Sequence, residues 1–389
     1  RVITTGHASA SNCPMRGLVT TGMSIANRCV AGDVDGVKPH LFGMRTVDLV
    51  RTLAHANVSC SDAEARRVLG HVISDGQTDL RTMKKPVRAV VRDAIDALTE
   101  RARLEVIERV RDDADGFEKL LLKSPDGALH EAVRIPLHKP GRFTVCLSSQ
   151  VGCAMGCQFC ATGRMGLTRN LQAHEIVGAF VAVRDSLPAG ARVSGAVFMG
   201  QGEPLHNYDE VIHAASVLCD PCGGRVEAKA ISISTVGLVP AIRRYTQEGH
   251  KFRLIVSLTS ALAPKRRTLL PVAGAYALED LVAAIRAYQQ SIHDRVTIAW
   301  VVLGGINTGR DEVDALRTLL ADVPIRLNLI DVNDARPDGF ARAPPAELGR
   351  FLDELQLLGQ PVVRRYSGGQ NRDAACGMLA ATHHARVES

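Results

Sequence analysis

The stretch Thr144–Gly166, TVCLSSQVGCAMGCQFCATGRMG, holds four of the chain's ten cysteines: Cys146, Cys153, Cys157 and Cys160. It starts as an apolar, β-branched run and turns into a glycine-punctuated loop, the texture of a strand end. Cys153-Ala-Met-Gly-Cys157-Gln-Phe-Cys160 is a C-x3-C-x2-C spacing. Three thiolates on a tight loop can hold three irons of a cubane cluster and leave one iron open to a small molecule. Zinc is the competitor, but structural zinc wants four ligands and paired knuckles. No cysteine or histidine follows at knuckle spacing, so a fourth ligand would have to be Cys146. A redox disulfide calls for a simple C-x-x-C beside a thioredoxin-like pattern, which is absent.

Reading outward, residues from Phe143 onward alternate strand-like and helix-like runs. FTVCLSS, SGAVFMG, AISIST, FRLIVSL, VTIAWVVL, IRLNLID and PVVRRYS read as strands, with amphipathic helical segments between them. Six or seven such units with apolar strands imply a parallel sheet, open or curled into a barrel. Ligands gather at the carboxyl ends of strands in such folds. The chemistry-bearing residues fall there: the triplet after the first strand, GQGEP after the second, STVG after the third, Ser257 after the fourth and Asn333 after the sixth.

Towards the N-terminus, TVDLVRTLAHANV, DAEARRVLGHVI and PVRAVVRDAIDALTERARLEVIERV read as helices. Next, GFEKLLLKSPDGALHEAVRIPL reads as a hairpin turning at PDG. The expected organisation is an irregular lead-in (1–40), a helical accessory domain (41–112), a β-hairpin extension (113–142), the barrel (143–380) and a tail (381–389).

A net charge of +6 fits a polyanionic partner without requiring one. Ten cysteines in a chain without a secretory pattern argue for metal ligation or catalysis over a disulfide framework. No apolar run of membrane-spanning length occurs, so the expectation is a cytoplasmic protein that does not engage a membrane. Cys219-Asp-Pro-Cys222 has no partner cysteines and reads as a surface loop.

The triplet resembles the signature of the radical S-adenosylmethionine (SAM) enzymes, with Phe159 as the aromatic residue before the last cysteine. CLSSQVGCAMGCQFCATGRMGLTRNL, FMGQGEPLHNYDEV, ISISTVGLVPAI, LIDVN and RDAACGML further resemble the RlmN/Cfr-type adenine C-methyltransferases of RNA, over about Gly116 to Ala380. The resemblance implies an α/β fold: a partial (β/α)6 radical-SAM barrel with a small N-terminal helical domain and a short β-hairpin extension. It implies a 4Fe-4S cluster on Cys153, Cys157 and Cys160, and SAM bound by Gly202, Glu203, Ser234, Ser257 and Asn333. Cys376 would carry a methyl group taken from one SAM, and Cys146 would resolve the protein–RNA crosslink. The implied substrate is an adenosine of rRNA or tRNA, the implied electron source a one-electron reductant such as flavodoxin or ferredoxin, and the implied state a monomer. Such chemistry suits an electron-poor amidine carbon, which cannot attack the methyl of SAM directly. The chain departs from the family at Gln201 (usually Met), Thr259 (usually His), Ala299-Trp300 (usually Glu-Tyr) and SGGQNRD before the late cysteine. Those departures keep open an alternative, the same methyl-carrier chemistry on a peptide or small-molecule natural product.

Overall fold

The structure is a computed structural model, which describes residues 38–113, 115–333, 336 and 339–365. Residues 1–37 of the lead-in, the late Cys376 and the tail lie outside the described residues.

The N-terminal helices form as their periodicity requires. α1 (Thr46–His55), α2 (Asp62–Leu69) and α3 (Ala89–Leu98) bury Leu49, Leu53, Val68, Leu69, Val91 and Ile95 against one another. A reciprocal cap starts α2: Ser61 Oγ accepts from the Glu64 N–H, and the Glu64 carboxylate accepts from the Ser61 N–H. The third helical reading is corrected beyond Leu98. There the Thr99 N–H and hydroxyl both close onto the Ile95 carbonyl. The chain then runs as strand β1 (Glu105–Arg111), not helix. Val106, Ile107 and Val110 satisfy either period, and a free sheet edge decides between them.

That edge belongs to the hairpin. β2 (Glu118–Lys123) and β3 (Leu129–Pro136) pair antiparallel around the expected turn, where Gly127 adopts φ +88°. The extension is thus a three-stranded antiparallel unit, β1-β2-β3, and not a hairpin alone. It continues without a break into β4 (Arg142–Leu147).

From β4 the sheet is parallel. β5 (Gln150–Gly152), α4 (Ala161–Arg164), β6 (Leu167–Asn170) and α5 (Ala173–Asp185) lead to β7 (Arg192–Phe198). There follow α6 (Tyr208–Cys219), β8 (Ile231–Thr235), α7 (Val239–Glu248), β9 (Arg253–Ser257), α8 (Ala263–Leu269), α9 (Leu278–Ile292) and β10 (Val296–Val302). α10 (Arg310–Leu319), β11 (Ile325–Asp331), α11 (Pro345–Leu355) and β12 (Val362–Arg365) complete the described fold. The ten-stranded order β1-β2-β3-β4-β7-β8-β9-β10-β11-β12 places consecutive parallel strands side by side, with a helix in each crossover. This is the parallel sheet the alternation predicts, in the partial-barrel arrangement the resemblance implies. Trp300 is fully buried, its ring 6.3 Å from that of Phe351 on α11. No helix among the described residues is long and apolar enough to cross a membrane.

Candidate active site

β5 and β6 form a small antiparallel clamp that pinches the base of the cysteine loop. The Cys153 N–H donates to the Gly166 carbonyl at 2.7 Å, closing the loop. Glycine is needed at Gly152: its φ is +75°, and a Cβ there would lie 2.0 Å from the Gly166 oxygen. Inside the loop, the Cys160 N–H donates to the Cys157 carbonyl at 3.1 Å. The Gln158 N–H reaches across to the Leu269 carbonyl at the end of α8, also at 3.1 Å.

Cys153 and Cys157 are buried and Cys160 is half-buried, in an apolar nest with Met155, Leu269, Leu270 and Val272. Burial pushes the Cys153 thiol up to about 12, with Glu203 and Cys160 adding to the rise. Burial also raises Cys157, and negative charge on Cys160 or Cys153 would raise it further. Cys153 and Cys157 therefore stay protonated until cations replace their protons, which is the linkage expected of metal ligands. No three His, Cys, Asp or Glu side chains among the described residues converge on a point for a single metal ion. A cubane makes no such demand, since its three thiolates go to three different irons. The donor set fits a cluster.

The segments expected to hold SAM are tied together beside this loop. Gln150 links SSQ to GEP: its Oε1 accepts from the Glu203 N–H at 2.9 Å, while its Nε2 donates to Asn170 Oδ1 at 2.7 Å and contacts His206 Nδ1 at 2.9 Å. Gly202 adopts φ +99°, and a Cβ there would sit 2.6 Å from Gln150 Cβ and Ser149 Oγ. Glu203 is only 2% exposed. Its carboxylate accepts from the Leu205 N–H at 3.0 Å and the Val236 N–H at 2.8 Å, but burial prevails and lifts its pKa to about 7.

The Val236 peptide has a second role. Its carbonyl accepts from Arg266 Nη2 at 2.6 Å, while Arg266 Nη1 donates to the carbonyls of Ser257, at 3.1 Å, and Leu258. One buried guanidinium thus joins the ends of β8 and β9. Burial lowers its pKa to about 10, opposed by Cys157. The next loop is braced by Asn307, which donates to the carbonyls of Thr259, at 2.6 Å, and Val301, at 2.7 Å.

The predicted residues are distributed accordingly. Ser234 is buried in β8, Ser257 is the half-buried last residue of β9, and Asn333 follows β11 half-buried. The loop after β11 reaches the cysteine loop: Phe340 meets Phe159 edge-on at 6.4 Å, and Arg336 donates to the Gln158 carbonyl at 3.2 Å. Cys146 is buried in β4. It is in register with Val133, which is in register with Lys119, so all three share one face of the sheet. On that face Lys119 and Glu131 form a buried ion pair at 3.3 Å. Cys376, expected as the methyl carrier, lies outside the described residues. Cys219 ends α6, which corrects the reading of both C-x2-C cysteines as loop residues; only Cys222 lies in the following turn.

Gln150, Arg266 and Asn307 escape sequence reading, because each is an ordinary polar residue until its partners arrive from other strands. Gln201 is different. Both atoms of its amide are buried without a partner, next to Gly202, as are Thr259 Oγ1 and Trp300 Nε1. Buried polar atoms are ordinarily paired, and an orphaned amide beside Gly202–Glu203 fits a site completed by a polar ligand. Three of the departures from the family pattern carry these orphans.

Comparison with known proteins places this site in context. Residues 147–319 match the Radical SAM superfamily. A protein of Anaeromyxobacter sp. (strain Fw109-5) named "Probable RNA methyltransferase" is 50% identical, over 88% of this chain and 98% of its own. A Moorella thermoacetica protein named "Probable dual-specificity RNA methyltransferase RlmN" is 42% identical, over 68% of this chain and 77% of its own. The crystal structure of a radical SAM methyltransferase from Sphaerobacter thermophilus superposes with a TM-score of 0.81 at 34% identity, covering 88% of this chain and 99% of that one.

Proposed function

The chain belongs to the RlmN-like family of radical SAM RNA methyltransferases, and on that premise we propose that it methylates an sp2 carbon of adenine in structured RNA, rRNA or tRNA, through a methyl group carried on Cys376. Cys153, Cys157 and Cys160 hold the 4Fe-4S cluster. Gly202, Glu203, Ser234, Ser257 and Asn333 would hold SAM, with Glu203 as the anionic partner of its amino group. When bound, the cluster and SAM supply one-electron cleavage of a sulfonium, and hence a radical able to activate an unreactive methyl group.

The chain's own thiols do the rest. The Cys376 sulfur accepts a methyl group from one SAM, and a second SAM is consumed in activating it. Once that carbon has replaced the hydrogen of the adenine ring carbon, which leaves as a proton while one electron returns to the one-electron carrier, the Cys146 thiol attacks the Cys376 sulfur. The disulfide forms as the sulfur–carbon bond breaks, the carbon keeps the bonding pair and takes up a proton to become methyl, and the methylated base leaves. The observation that carries the reading is Cys146: a buried thiol on the strand that feeds the cysteine loop, outside the triplet's nest.

The test uses anaerobically reconstituted enzyme, methyl-labelled SAM and RNA from cells lacking the gene, with nucleosides resolved by mass spectrometry. The expected product is a C-methyladenosine. Cys376→Ala should abolish it while SAM cleavage persists. A fully active alanine variant would overturn the carrier mechanism, and label found on a peptide or small molecule would overturn the RNA substrate.

A further inference from the structure

An open groove of about 830 Å³ runs between the N-terminal helices and the turn that follows α6. Arg66 and Arg67 of α2, Lys84 and Lys85 of the next loop, and Arg225 of the α6–β8 connection line it, against the single carboxylate of Asp75. All five cations are exposed, and none forms an ion pair among the described residues. Elsewhere on this surface arginines commonly have carboxylate partners, as in Arg286–Asp322, Arg310–Asp314 and Arg244–Asp209. The groove is anchored: Ser74 Oγ donates to the Gly223 carbonyl at 2.7 Å, which fixes the helical side to the α6–β8 side.

Its place in the fold is informative. The α6–β8 connection enters β8 at its amino end, whereas the cysteine loop leaves β4 at its carboxyl end, and the two strands run parallel. The groove and the candidate active site therefore lie at opposite ends of the sheet. A strand such as β7, Arg192–Phe198, spans roughly 20 Å. An electron donor has to bring its redox group close to the cysteine loop, and this groove is a strand's length away. A nucleic-acid backbone has the reach, since a strand of a B-form duplex places a phosphate about every 3.4 Å along its axis and an RNA duplex spaces them somewhat more closely.

We propose that this groove is a docking site for the phosphodiester backbone of the substrate RNA, engaging it about six phosphates from the base that enters the active site; the proposal rests on RNA being the substrate. The groove then reads no sequence. It recognises that a structured RNA extends along the side of the barrel, and it selects a folded substrate over a short single strand.

The experiment titrates a fluorescein-labelled RNA hairpin with a long stem into reconstituted holoenzyme over a series of salt concentrations. The variants are Arg66→Gln/Arg67→Gln/Arg225→Gln, and a control triple on other exposed sites, Arg317→Gln/Arg326→Gln/Arg350→Gln. The groove triple should raise Kd at least about tenfold at 0.1 M salt and flatten the log–log salt slope by about 2.7. Its KM for RNA should rise, kcat at saturating RNA should hold, and the control triple should behave as wild type. If wild type binds and methylates RNA and the groove triple matches it in Kd and slope, the proposal is overturned. It is equally overturned if RNA binding is unchanged but reduction by an acidic donor protein slows, which assigns the groove to that protein. If wild type itself neither binds nor methylates RNA, the substrate reading fails first and takes the groove with it.

Discussion

Replacing Glu203 by glutamine should change how stability depends on pH more than it changes stability itself. The carboxyl is buried, and its pKa is about 7 in the folded chain against an ordinary 4.5. A folded state that holds its proton more tightly than the unfolded state is favoured at low pH. Glu203's contribution is therefore present in full below about pH 4.5 and is lost as pH rises towards 7. One pKa unit is worth about 1.36 kcal/mol, so the full loss is about 3 kcal/mol, of which roughly 2 falls between pH 5 and 7.5. Glutamine removes that dependence at a separate cost. Its amide nitrogen must face one of the N–H donors of Leu205 or Val236, a loss of roughly 1–3 kcal/mol that does not vary with pH. The variant should be the weaker protein at pH 5 and close to or above wild type at pH 7.5. Urea unfolding of the reduced, iron-free proteins at both pH values measures this, below the range where thiols ionise. Parallel curves for the two proteins would refute the burial argument. In the holoenzyme, an ammonium group facing Glu203 should make SAM affinity climb up to about tenfold per pH unit below 7, and the variant should lack that climb.

Other residues give sharper readouts. Alanine at Cys153, Cys157 or Cys160 should each cut bound iron and the visible absorbance of the reconstituted protein to near background, whereas Cys146→Ala should retain both. Gly202→Ala forces a Cβ to within 2.6 Å of Gln150 and Ser149 at φ +99°; it should cost about 1–3 kcal/mol in urea unfolding and weaken SAM binding in calorimetry. Lys119→Met removes the cation that pairs with buried Glu131 and should destabilise by about 3–5 kcal/mol, while Lys119→Met/Glu131→Leu should recover most of that.

That Cys153, Cys157 and Cys160 share one loop was legible because, over so few residues, spacing in sequence is spacing in space. The parallel sheet was legible for a similar reason, since apolar runs alternating with amphipathic helices leave few ways to bury both faces. The turn at Pro125-Asp126-Gly127 followed from residue type alone. The run Glu105–Arg111 was not legible, because its apolar residues satisfy both periods and the choice depends on β2 offering an unpaired edge.

The rest of the site belongs to tertiary structure. Gln150, Arg266 and Asn307 are unremarkable letters until folding brings carbonyls and N–H groups of other strands within 3.1 Å of them. Burial of Glu203, and with it the pKa near neutrality, arises from elements distant in sequence. Nothing in the order of residues places Arg66, Lys84 and Arg225 along one groove. The sequence by itself determined which chemistry the chain can perform, because ligand spacing is encoded in neighbouring residues. Only the tertiary structure decided how the ligand segments are held and where a long anion can lie, because those depend on contacts between residues far apart along the chain.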